Sequence, residues 1–174
     1  MYGCKVLLCL SNPNGPKAAD NCPPPIDQLY DDLRHGRSFP TCDKSDGNDD
    51  TSYATPTYAP FDPCPAGTSP APAGSYVVQG TSKGVNGWGQ YSYNLDGEAY
   101  QSAAENGYVD GESSGAGLAC VAGPVGSYSI YGSSRDDSTN TIVNVYSTVI
   151  WQQPKNPNAI DVYINNTLWK RVRW

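Results

Sequence analysis

The chain has 174 residues and a formal net charge of −6, a length that suits one domain with a real core and a charge that argues against binding a phosphate backbone. Its six cysteines include no Cys-x-x-Cys pair and its one histidine is His35, which argues against a zinc site and for a disulfide framework made in an oxidising compartment. Gly, Pro, Ser, Asn and Tyr are abundant while glutamate occurs only at Glu98, Glu105 and Glu112, a balance that suits a loop-rich, β-dominated exported domain better than a helical cytosolic enzyme.

No basic segment followed by an apolar one opens the chain, so Met1 reads as a processing or expression start with any leader already removed. Val6 to Leu10 is too short to cross a bilayer. It instead opens a first short helix, with Val6, Leu7 and Leu10 on one face, and Asn12-Pro13-Asn14-Gly15-Pro16 cannot continue it. Pro23-Pro24-Pro25 then starts a second helix, in which Ile26, Leu29, Tyr30 and Leu33 form an apolar stripe. Arg34 and His35 suit its last turn, and Gly36 and Pro40 are stop signals. Cys9, ending the first helix, would face Cys22 before the second. Cys4, at the other end, has two candidates in Cys42 and Cys64, and Cys42 is favoured by simple geometry because it follows the second helix directly.

From Thr41 to Gly74 acidic residues and then prolines replace any periodicity, which predicts an extended surface connection pinned by Cys42 and Cys64. From Ser75 the pattern is β. Tyr76-Val77-Val78, Gln90 to Tyr93, Ser127 to Tyr131 and Thr141 to Trp151 are β-branched or aromatic and separated by glycine turns. The nearly continuous 141–151 segment reads as a central strand. Asp96 to Asn106 suits either a hairpin or a short helix. Ile160 to Ile164, Asn165-Asn166 and Thr167 to Trp174 predict a terminal hairpin turning at the two asparagines. Parity places Leu168 and Val172 with Val162 and Ile164 in the core, and leaves Arg171 and Arg173 as an exposed basic patch beside Trp169.

Few constellations carry chemistry. His35 at a helix end suits capping better than acyl transfer. Glu98, Glu105, Asp110 and Glu112 stand in Gly-rich surroundings and read as solvated turn acids, although a glycosidase can run on two carboxylates alone. The acidic run from Asp43 to Asp50 matches a calcium loop poorly, since Thr51 and Thr57 stand where Gly and Glu belong. Gly84, Gly87 and Gly89 lack the strand-to-helix context of a phosphate loop. Asn165-Asn166-Thr167 fits the glycosylation pattern but is explained by the turn. The positive signal is aromatic: thirteen tyrosines and four tryptophans, with Trp88, Tyr91 and Tyr93 as one candidate docking or glycan-stacking group and Trp169 with Arg171 and Arg173 as another. No cofactor or metal is expected.

Cys4-Lys5-Val6-Leu7-Leu8-Cys9-Leu10-Ser11, followed by Cys22-Pro23-Pro24-Pro25-Ile26, resembles the TrbM/KikA/MpfK family of conjugal transfer proteins, as do Cys64-Pro65 and the closing Ile160 to Ile164 and Arg171 to Trp174. The resemblance covers roughly residues 1–66 and 159–174. Cys42, Cys120 and the Gly- and Tyr-rich middle go beyond the family pattern. The resemblance favours a Cys4–Cys64 bridge, leaving Cys42 to Cys120, and that pairing is the one adopted. It also implies an exported accessory of mating-pair formation by type IV secretion, meeting envelope or secretion-system proteins without chemistry of its own. Cell-wall glycan binding or cleavage, with peptidoglycan as partner, is the first alternative, and a secreted toxin or effector the second.

The sequence therefore predicts an α+β fold in which a disulfide-stapled N-terminal helix pair packs on a mainly antiparallel β-sheet. It reads as a single domain over 1–174: a helical cysteine-rich segment at 1–40, a Pro/Asp-rich surface connection at 41–74 and a β-rich body at 75–174. Localisation is expected to be periplasmic or secreted, with no nucleic-acid partner and no membrane span.

Overall fold

A computed structural model describes residues 1–43, 51–109, 112–113, 117–131 and 140–174, with backbone alone for 108–109 and 112–113. Helices α1 (Tyr2–Ser11) and α2 (Pro23–Arg34) precede strands β1 (Tyr53–Tyr58), β2 (Ser69–Pro70), β3 (Tyr76–Val85), β4 (Tyr91–Gln101), β5 (Tyr108–Val109), β6 (Glu112–Ser113), β7 (Leu118–Tyr131), β8 (Asn140–Gln152), β9 (Asn158–Ile164) and β10 (Thr167–Arg173). The architecture is α+β, and among the described residues every strand pairing is antiparallel except that of β3 with β8.

The chain divides into two compact units, one from residues 1–59 and 156–174 and the other from 60–155. The second is an insertion within the first. At the seam of the first unit the Ala59 N–H donates to the Pro157 carbonyl at 2.8 Å, and in the second the Lys155 N–H donates to that of Pro60 at 2.8 Å. The stretch read as a surface connection contributes β1 to the first unit and β2 to the second. Its prolines hid β1, yet Pro56 sits on an edge strand, where a missing N–H costs no ladder bond.

In the first unit the helix pair lies on the sheet β1-β9-β10. Val6 and Leu10 of α1 and Ile26 and Leu29 of α2 are fully buried against Ile160 and Val162 of β9, with Val172 of β10 beside them. At about 1.5–3 kcal/mol for each fully buried aliphatic side chain, this small core is what makes two marginal helices persist. Cys9–Cys22 staples the pair, as the sequence predicts, and Cys4–Cys42 closes the other end. The adopted Cys4–Cys64 and Cys42–Cys120 pairing is overturned, for Cys64 is bonded to Cys120 within the second unit. The cause lies at Gly3, where a Cβ would stand 1.9 Å from the Thr41 carbonyl oxygen. With no side chain there, the backbone leaving α2 passes against α1 and delivers Cys42 to Cys4.

The terminal hairpin turns at Asn165 and Asn166 with φ of 51° and 58°, the left-handed pair a tight turn requires. Val162 and Val172 are in the core as parity predicts, but Leu168 is not. A bulge between Leu168 and Lys170 shifts the register, so Leu168 lies opposite Tyr163 while Lys170 lies opposite Val162. One extra residue reverses the facing of everything beyond it. Ile164, on the core parity but next to the turn, is exposed.

In the second unit β8 is flanked by β7 and β3 in the order β2-β7-β8-β3-β4, the central strand the sequence predicts. Val78, Val143 and Val145 form one buried cluster, and Phe61, Ala103, Leu118 and Cys120 another. The ambiguous 96–106 segment continues β4 to Gln101, after which Ala103 is buried and Ser102 Oγ accepts the Ala119 N–H at 3.0 Å. Among the described residues no helix is long and apolar enough to cross a membrane.

Candidate functional site

The aromatic group at Trp88 stands on an arm. Among the described residues, β3 pairs with β8 over Tyr76–Gln79 and beyond that with β4 alone. Every residue from Thr81 to Ser92 is exposed. Tyr93 anchors the arm at its base: its hydroxyl donates to the Ser127 carbonyl at 3.2 Å and its ring tilts on that of Tyr128 with centroids 6.2 Å apart. Gly126 makes room for it, since a Cβ there would meet the Tyr93 oxygen at 2.1 Å. Of the predicted trio, Tyr93 is therefore structural and half-buried, whereas Trp88 is 91% and Tyr91 68% exposed.

Asn86 organises the tip. Its Oδ1 accepts the N–H groups of Trp88 at 3.0 Å and Gln90 at 2.9 Å, and its Nδ2 donates to Gln90 Oε1 at 3.0 Å. Its own N–H donates to the Gln90 carbonyl, and Gly89 N–H donates back to the Asn86 carbonyl. These bonds hold a glycine-flanked tryptophan outward without a hydrophobic contact to fix it, the local side-chain-to-backbone bonding at which Asn excels.

The second aromatic group divides differently. Trp169, on the bulge, is 52% exposed, and its Nε1 donates to the Ser11 carbonyl at 3.0 Å while Lys170 Nζ donates to that of Asn12 at 2.8 Å. Carbonyls at the C-terminal end of α1 thus receive donors from β10, a role for which the positive lysine is well suited. Arg171 and Arg173 are not an exposed patch. Arg171 is bidentate to Asp161 and mostly buried, and Arg173 Nη1 donates to the carbonyls of Ala59 and Asn156. The register shift that displaced Leu168 also leaves both arginines on the Asp161 face.

Glu98 on β4 accepts the Tyr100 hydroxyl at 3.3 Å, and Glu105 lies in the turn beyond. Asp110 and the acidic run beyond Asp43 fall outside the described residues, as does the side chain of Glu112. His35 caps α2, exposed, with Nδ1 2.8 Å from the Asp31 carbonyl oxygen. Among the described residues no three His, Cys, Asp or Glu side chains converge as a metal would need. The bulge, the buried Asp161 and the tip role of Asn86 had no signal in the periodicity. Only the Asn-Gly at 86–87 marked the last as a turn.

Compared with known proteins, the chain matches no family model, no curated protein and no solved structure.

Proposed function

We propose that this is an exported, non-enzymatic accessory protein of a conjugative type IV secretion apparatus, periplasmic and acting through contacts with envelope or secretion-system proteins. One observation carries the reading. The family-like segments, roughly 1–66 and 159–174, nearly coincide with the first compact unit, 1–59 and 156–174, while the departing middle is an insertion with its own disulfide. Two distant stretches that share a resemblance and fold together behave as one inherited module. The three disulfides support an oxidising compartment. Cys64-Pro65 weighs the other way, since it lies in the insertion and is bonded to Cys120.

Deleting the gene from a donor strain tests the proposal. Transfer frequency should fall and return when the intact gene is supplied. Unchanged transfer would remove the protein from that system.

A further inference from the structure

The β3–β4 arm has properties that the contacts of the first unit do not use. From Gly80 to Leu95 β3 and β4 form a two-stranded ribbon past the last β3–β8 pair, seated on β7 through Tyr93. Every residue of its tip is exposed, and Trp88 is 91% accessible. Trp88, Tyr91 and Val85 are the large apolar side chains there, and Val85 and Tyr91 are cross-strand partners. Four N–H groups of the tip, those of Asn86, Trp88, Gly89 and Gln90, already have acceptors within it. A tip so satisfied enters a water-poor layer without stranding those donors.

Charge selects the layer. Between Asp62 and Asp96 the only charged residue is Lys83, in a chain of net charge −6. The arm is thus free of carboxylates and carries one cation two positions from Val85, while the acidic residues lie elsewhere in the sequence.

We infer that the β3–β4 arm docks the protein on an anionic phospholipid bilayer, with Trp88, Tyr91 and Val85 in the interfacial region and Lys83 at the headgroups. Trp and Tyr favour that depth because their rings are amphipathic, and lysine meets the negative surface. This is shallow attachment rather than a span.

The test is flotation of the full-length, disulfide-intact protein with phosphatidylcholine vesicles containing roughly one-third phosphatidylglycerol, an anionic surface of the required kind. The protein should float with these vesicles and its tryptophan emission should shift to the blue. Trp88→Ala should lower the partition coefficient by about tenfold or more, since the interfacial aromatic is the main anchor. Lys83→Glu should weaken binding to these vesicles but not to pure phosphatidylcholine, while Trp169→Ala should change neither. Trp88→Ala touches no core residue, so its thermal midpoint should match the parent's. Failure to float, or binding indifferent to Trp88, would overturn the inference. So would Trp88-dependent retention on peptidoglycan without vesicle binding, which would assign the tip to glycan. Transfer frequency reads the accessory role and vesicle binding reads the arm, so either can fail alone.

Discussion

Arg171 and Asp161 face one another across β10 and β9, with Nε and Nη2 of the arginine 2.6 and 2.8 Å from the two carboxylate oxygens. Asp161 is only 5% exposed. Removing one partner breaks a buried ion pair, which costs about 3–5 kcal/mol. Asp161→Ala should therefore destabilise strongly, while Asp161→Leu combined with Arg171→Met should lose much less. Urea unfolding of both variants checks this, and equal losses would show that charge pairing is not the issue.

Gly3 against Thr41 is the contact that admits Cys42 to Cys4. A methyl there meets backbone, which cannot step aside as a flexible side chain can. Gly3→Ala should cost about 1–3 kcal/mol, as overpacking does, and leave Cys4 and Cys42 partly unpaired. Thiol titration under denaturation without reductant should read essentially zero for the parent protein and a measurable fraction for the variant.

The terminal hairpin supplies three of the nine buried residues of the first unit's core. Deleting 159–174 removes Ile160, Val162 and Val172, all buried, and should cost several kcal/mol at about 1.5–3 kcal/mol for each. A thermal midpoint unchanged by the truncation would show the hairpin to be a detachable tail.

Alkaline pH should loosen the same unit. Burial, then the nearby Asp27 carboxylate, pushes the Tyr30 phenol above its ordinary value of 10.0; burial and Asp32 do the same to Tyr2. The folded state thus holds these protons more tightly than the unfolded chain. Their contribution is complete below pH 10 and is lost as pH rises through the folded values. The urea midpoint should fall above about pH 10, and less steeply in Tyr30→Phe. An identical slope would remove Tyr30 from the cause.

The helices, the Cys9–Cys22 staple, the central 141–151 strand and the Asn165-Asn166 turn were legible because each is local: a stripe, a stop signal, a loop length or a turn residue. What escaped depends on partners far away in sequence. Pro56 reads as a strand breaker until β9 is seen to leave it at an edge. Leu168 reads as core until the bulge beside it reverses the parity. Cys42 was the geometric choice for Cys4, and it was the resemblance that drew the pairing to Cys64. At the arm, composition grouped Trp88 and Tyr91 with Tyr93 and could not separate the two exposed rings from the third, whose anchor at Ser127 lies on another strand.

Residues 1–59 and 156–174 form one unit that residues 60–155 interrupt, with two disulfides in the first and one in the second. Peptide mapping of the non-reduced protein tests this most directly. It should yield Cys4–Cys42, Cys9–Cys22 and Cys64–Cys120. A Cys4–Cys64 or Cys42–Cys120 peptide, either of which would lace the two units together, would contradict it.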